Sequence, residues 1–271
     1  VFSALLRPLL PEGEWEHRLV HARSLRLHLA VSRPGGGAAG DPVLLLPDAG
    51  RTWWSWRHLI PLLGAGRAVL ALDPRGTGAS DRTPSGYRLP DTVDDLHALL
   101  DALAVPRVVL VGHGWGGISA TALAAAHPER VRALALVAAP APPALQGYRR
   151  LLAGALAGTR VLTPQRLHAW AGADLPASSP CVQALREWPG PQRALAPLRS
   201  AALHPATLRA LRTGPRAVPT LHVRAAADPL LPRPRLGAPA PVVLPGGHQL
   251  PEDSPTALAA TLTGWLQSLP A

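Results

Sequence analysis

The stretch whose spacing speaks most directly of chemistry is VVLVGHGWGGISA, Val108 to Ala120. A β-branched and aliphatic run ends at Gly112, and a small-residue helix leaves from Gly116-Gly117. The turn between them has the form G-x-nucleophile-x-G, which lifts a nucleophile onto a sharp strand-to-helix corner. Here the corner position is Gly114, flanked by His113 and Trp115. Gly112, Gly116 and Gly117 pin the register, so neither Asp101 nor Ser119, which falls inside the following helix, can be slid into place. Glycine adopts the strained backbone of such a corner at little cost, but it has no oxygen or sulfur to attack with. The spacing presents the frame of covalent catalysis without its reacting atom.

The elements that must position this corner follow from hydrophobic periodicity. Alternation over residues 15–32 predicts two antiparallel strands, the second with Leu25, Leu27, Leu29 and Val31 on one face. Short continuous apolar strands then alternate with helices: strands at 42–47, 68–73, 107–112 and 131–138, and helices at 53–63, 88–103 and 116–128. The second helix is expected to be capped near Asp91 or Thr92. Such alternation means a mostly parallel sheet covered on both faces. It stops at Ala139, and a Pro-punctuated, helical segment without a credible strand runs to about Pro215. Strands at 219–225 and 241–246 and a closing helix at 254–269 complete the pattern. The fold class is α/β, with core segments 1–140 and 216–271 and an all-helical cap, 141–215, inserted after the sixth strand.

Composition excludes several function classes. The 271 residues are 47 % hydrophobic and contain no Met, Lys or Asn, a depletion of AT-rich codons that points to a GC-rich, actinobacterial type of genome. Cys181 is the single cysteine, so an internal disulfide and a cysteine-based zinc site are excluded. No run approaches the length of a membrane span and no secretory leader is recognisable, so the expected location is the cytoplasm. The net charge of +10 is concentrated in and just after the cap, where from Ala141 to Arg216 ten arginines face only Asp174 and Glu187. That excess reads as a solvated surface or as a place for an anionic substrate or an acidic partner protein. No nucleic-acid-binding motif accompanies it.

Three stretches give the chain a family resemblance. WWSWRHLIPLLGAGRAVLALDPRGTGASD (53–81) has a Trp-rich first helix and a D-x-R-G-x-G-x-S-D run. VGHGWGG (111–117) matches the elbow G-H-D-W-G-G at all positions but one. PTLHVRAAADPLLP (219–232) and LPGGHQLPEDSP (244–255) resemble a late acid strand and a closing G-H-x-x-x-E segment. Together these resemble the α/β-hydrolases, in particular their epoxide hydrolase and haloalkane dehalogenase branch. The resemblance implies that Asp228 takes the place of the triad acid and His248 that of the triad histidine.

It also exposes three departures. Gly114 occupies the nucleophile position. The loop that reads H-G-x-P in the family, and donates an oxyanion-hole N–H, reads Pro47-Asp48-Ala49-Gly50. A carboxylate there would oppose an oxyanion, though Asp48 could serve as a second acid or base. The cap tyrosines that assist epoxide opening in the family are reduced to Tyr148.

Three readings remain open. In the first, His248, oriented by Asp228 and helped by Asp48, is a general base for a non-hydrolytic step such as cyclisation, aldol or retro-aldol cleavage, or elimination. Deletion of the nucleophile's side chain would clear space before His248 for a natural-product-type substrate, free or bound to a carrier protein. The N–H groups of Trp115 and Ala49 would hold the developing anion. In the second, the protein binds a small molecule under the cap without turnover; His113, Tyr148 and the tryptophans 53, 54, 56 and 115 are candidates to line the pocket, with at least two of Trp53, Trp54, Trp56 and Trp115 expected in the core instead. In the third, it is an atypical hydrolase that activates water directly or uses a nucleophile such as Asp48. No cofactor and no metal are called for, and oligomeric state is not legible.

Overall fold

Alternation in the opening segment does form a hairpin: β1 (Trp15–Ala22) pairs antiparallel with β2 (Leu25–Ser32), whose Leu25, Leu27, Leu29 and Val31 are all buried. The apolar strands β3 (Val43–Leu46), β4 (Val69–Asp73), β5 (Val108–His113), β6 (Val131–Val137), β7 (Thr220–Ala225) and β8 (Val242–Leu244) lie parallel. The sheet order is β1-β2-β4-β3-β5-β6-β7-β8, with β2 antiparallel to β4. The structure, a computed structural model, describes residues 9–32, 40–140, 218–228, 231 and 240–270. The expected cap, with Tyr148, Cys181 and the arginine-rich excess, lies outside the described residues.

The strands are apolar on both faces because both faces are covered. In β3, Leu44 and Leu46 point into one core and Val43 and Leu45 into the other. The first core is closed by α2 (Leu89–Ala102) and α3 (Trp115–Ala126) through Leu96, Leu99, Ile118 and Leu123. The second is closed by α1 (Leu59–Gly64) and α5 (Pro255–Ser268) through Leu59, Ile60, Leu258 and Leu262. A short helix, α4 (Leu250–Asp253), precedes α5 and is separated from it at Ser254. Among the described residues, no helix is long and apolar enough to cross a membrane.

Two local expectations need correction. The helix expected at 53–63 is in two pieces, a 3-10 turn at Trp53–Trp56 and then α1. The hydroxyl of Thr52 accepts from Trp54 N and starts the turn, whereas Pro61, which has no N–H to donate, is accommodated only in the first turn of a helix that begins at Leu59. The start of α2 is not capped by Asp91 or Thr92 from outside. Arg88 is the cap residue, and Asp91 sits in the first turn and accepts the Arg88 backbone N–H at 2.9 Å.

The strand-to-helix corner between β5 and α3 depends on close backbone approach. A Cβ on Gly116 would overlap the carbonyl oxygens of Leu46 and Pro47, so only glycine lets α3 sit against the end of β3. Gly116→Ala is expected to cost about 1–3 kcal/mol, as overpacking of a rigid core does. A lowered urea midpoint with unchanged slope would report it; an unaltered midpoint would mean that α3 can move away from β3.

Candidate active site

Four loops at the carboxyl ends of parallel strands meet at one point, the position where ligands bind in open α/β sheets. Asp48 follows β3, Gly114 follows β5, Asp228 follows β7 and His248 follows β8. Gly114 has φ 51° and ψ −113°, a left-handed conformation that a side chain adopts only under strain, and its N–H donates to Val137 O at 3.1 Å. The elbow is therefore formed as the G-x-x-x-G spacing implies. Ser119 lies within α3, and Asp101 is paired with Arg130 near the far end of α2 at 2.7 Å. Neither replaces the missing side chain.

The space before His248 is filled, contrary to the expectation that glycine at the elbow would leave it clear. A Cβ built on Gly114 would overlap Oδ1 and Cγ of Asp48. The carboxylate of the β3 loop thus stands where a side chain of residue 114 would stand. Its Oδ1 accepts two backbone N–H groups, from Trp115 at 2.6 Å and from Ala49 at 2.8 Å. Its Oδ2 faces His248 Nε2 at 3.3 Å. The two N–H groups expected to receive a developing anion are thus occupied by a permanent one.

His248 lies between two carboxylates. Its Nδ1 is 3.0 Å from Asp228 Oδ2, and Asp228 Oδ1 accepts Leu231 N at 3.2 Å. Burial on its own would lower the pKa of His248, but hydrogen bonds to Asp228 and Asp48, and their charges, outweigh it and raise the value to about 9. Burial likewise opposes ionisation of Asp48. The hydrogen bond from His248, with the Trp115 N–H in support, holds the carboxyl well below the usual carboxylate range. At neutral pH the resting site is an ion pair, an imidazolium facing a buried carboxylate.

His113 is a strut rather than a pocket wall. It is fully buried, its Nε2–H donates to the carbonyl oxygen of His248 at 2.7 Å, and burial lowers its pKa to about 4. Asp48, His113 and His248 bring ligand-type atoms within 4.8 Å of one another, the one such grouping among the described residues. Those atoms are largely engaged with each other and with backbone groups. Trp53, expected to line a pocket, is a core residue with no exposure; its Nε1 donates to Leu9 O at 3.2 Å. Trp54 is half-buried, edge-on to Trp15 and Trp53 and beneath the Arg57 guanidinium. Trp115 does reach the site: with Asp48, Ala49, Leu46, Leu96 and Ser119 it lines a cavity of about 50 Å³. Two residues not singled out from the sequence, the buried Arg51 and the half-buried Glu252, form an ion pair at 3.4 Å, and Arg57 lies 3.6 Å from the same Glu252 oxygen. Their signal lay in their positions, directly after the Pro47–Gly50 loop and at the end of the G-H-x-x-x-E segment.

Comparison with known proteins agrees with this architecture. A family model described as alpha/beta hydrolase fold matches residues 41–161. Epoxide hydrolase B of Mycobacterium tuberculosis is 36 % identical over 127 residues, covering 46 % of this chain and 35 % of that protein. Epoxide hydrolase 3 of Siraitia grosvenorii is 34 % identical over 143 residues, 49 % of this chain and 44 % of the relative. The chain thus matches less than half the length of these curated relatives. The solved structure of Epoxide Hydrolase A from Mycobacterium thermoresistibile superposes with a TM-score of 0.71 at 23 % identity, covering 94 % of this chain and 99 % of the other. At that identity the likeness is one of fold.

The ion pair makes stability depend on pH with a definite sign. Because the pKa of His248 is raised above its ordinary 6.5 to about 9, its contribution is complete below pH 6.5 and is lost as pH rises through 9. The loss is on the order of 3 kcal/mol across that window. Chemical denaturation from pH 6 to 10 should show the decline in the wild type and a flatter profile in His248→Gln; parallel profiles would mean that His248 is neutral at rest.

Proposed function

We propose, for a chain that belongs to the α/β-hydrolase superfamily near its epoxide hydrolase branch, that it hydrolyses an epoxide through an ester on Asp48. The nucleophile has in effect moved from the elbow to the loop after β3. One observation carries this reading: the Asp48 carboxylate stands in the space of the absent side chain, with one oxygen on two N–H groups and the other turned to His248. In the family's pattern glycine belongs at position 48 and the carboxylate at 114. Here the two residue types have exchanged places.

The chemistry follows from the charges. Asp48 Oδ2 attacks an epoxide carbon and the carbon–oxygen bond of the ring breaks. The alkoxide takes the Nε2 proton of the His248 imidazolium, which supplies the electrophilic assistance that cap tyrosines give elsewhere in the family. Esterification removes the negative charge of Asp48, and with it part of what held His248 protonated, so the now neutral imidazole becomes a base. It takes a proton from water as that water adds to Asp48 Cγ. The resulting oxyanion develops on Oδ1, already placed on the N–H groups of Ala49 and Trp115. Collapse expels the second alkoxide, which takes the remaining acidic proton, and a diol leaves the original ion pair behind.

The other readings have less support. A general base acting directly on substrate needs a neutral His248 with its Nε2 open, and Asp48 lies across that approach. A pocket kept only for binding has no use for a buried ionised carboxylate, whose desolvation costs several kcal/mol. The substrate is a small molecule; the place of the arginine-rich segment in recognising an anionic or carrier-bound one is part of this proposal alone.

Isotope labelling tests the covalent step. With enzyme in excess over an epoxide such as styrene oxide in water enriched in oxygen-18, the first diol formed should carry unlabelled oxygen and the label should appear in the Asp48 peptide. Label in the first diol would sink the reading in favour of direct attack by water. Asp48→Asn should lower kcat/KM by about ten-thousandfold. Gly114→Asp alone should not raise activity, since two carboxylates would contend for one space, whereas the exchange Asp48→Gly with Gly114→Asp should retain turnover.

A further inference from the structure

Among the described residues, the buried side-chain nitrogen and oxygen atoms that lack a hydrogen-bond partner fall in one neighbourhood. They are Nε, Nη1 and Nη2 of Arg51, Nε1 of Trp56, Nδ1 of His113 and the Oε1 atoms of Gln249 and Glu252. Arg51 is 1 % exposed, and its Nη1 lies 3.4 Å from Glu252 Oε1 without the geometry of a hydrogen bond. The rings of Trp56 and His113 meet edge-on with centroids 6.2 Å apart, and those of His113 and His248 are 5.1 Å apart. Gln249 is the chain neighbour of His248, and its carbonyl oxygen accepts the N–H of Glu252. The unpartnered atoms thus surround the base of the His248 loop. Buried polar atoms are almost always paired, because leaving one bare forfeits its bond to water. Two of the seven, Arg51 Nη1 and Glu252 Oε1, are ion-paired with each other, and Glu252 Oε1 also with Arg57 Nη1 at 3.6 Å; the other five call for partners that the protein does not supply.

The donor and acceptor inventory says what kind. Arg51 and Trp56 offer only donors; Gln249 Oε1 and Glu252 Oε1 offer only acceptors. His113 Nδ1 is an acceptor as well, because the other ring nitrogen carries the hydrogen given to the His248 carbonyl. An anion would satisfy the first group and strand the second, and a cation would face the Arg51 guanidinium. Water alone both donates and accepts. We propose that Arg51, Trp56, His113, Gln249 and Glu252 enclose a cluster of ordered water behind His248, and that this cluster supplies the water consumed in ester cleavage. The second half of the statement rests on the covalent reading above; the first half does not.

Two measurements keep these halves apart. A crystal structure of the full chain at a resolution that places ordered water should show waters bridging Arg51 or Trp56 to Gln249, Glu252 or His113. Direct pairing of these side chains, or a halide or metal ion in their midst, would overturn the proposal. Rapid-mixing kinetics with styrene oxide then address supply. Gln249→Leu and the independent Trp56→Phe should leave the rate of Asp48 esterification unchanged and slow release of the diol by about tenfold, so that esterified Asp48 accumulates in mass spectra. A merely structural role would depress both steps together, and unchanged release in both variants would remove the supply role even with the waters in place. If no ester forms in the wild type, the covalent reading fails while the crystallographic result still decides the water cluster.

Discussion

A carboxylate withdrawn from water must be given donors, and in this protein Asp48 draws them from three strand ends. Its own loop after β3 gives the Ala49 N–H, the corner after β5 gives the Trp115 N–H, and the loop after β8 gives the His248 imidazolium. Asp228, after β7, holds the far side of that ring. The desolvation of so buried a charge is offset only if all of these are in place together. The parallel sheet satisfies the condition because it delivers four loops to the same edge. His113 braces the arrangement by donating to the carbonyl oxygen of His248.

In the proposed reaction the pair works through two charge states. At rest each partner keeps the other ionised, so an acid and a nucleophile coexist at neutral pH. Once Asp48 is esterified, the imidazole has lost a counter-ion and the proton, and the same nitrogen that gave a proton can take one. A single histidine thereby serves both half-reactions, and what changes its role is the covalent state of its neighbour.

The sheet, its helices and the elbow were legible in the sequence because each rests on local pattern: alternation in β2, two-faced apolar strands from β3 onwards, and glycines at 112, 116 and 117 that only a tight crossing requires. The broken helix at 53–64 was missed because helical periodicity persists across a boundary that Thr52 and Pro61 set. At the site, Asp228 and His248 were placed correctly as partners because the resemblance fixed their order. The position of the Asp48 carboxylate could not be read, since residues 48 and 114 are adjacent only in space. Reasoning from each residue separately made the glycine a loss and the aspartate an obstacle. Of the four tryptophans at 53, 54, 56 and 115, at least two were expected in the core, and Trp53 and Trp56 are indeed without exposure; which two could not be told from aromatic character alone.

The exchange between positions 48 and 114 has a consequence for how such a site can arise. Glycine and aspartate codons differ by one base, so two single-base changes connect the arrangement seen here with the one in the family's pattern. The order of those changes matters. A carboxylate at both positions would force two oxygens into one volume and two like charges into one dry site. A glycine at both would leave the amide pair and His248 around a gap that water can fill. The less obstructed order therefore passes through glycine at both positions, a site that keeps Asp228 and His248 but has a nucleophile at neither residue. An apparently disabled elbow can be the midpoint of a journey, and a search that reads only residue 114 cannot tell a protein resting there from one that has already arrived.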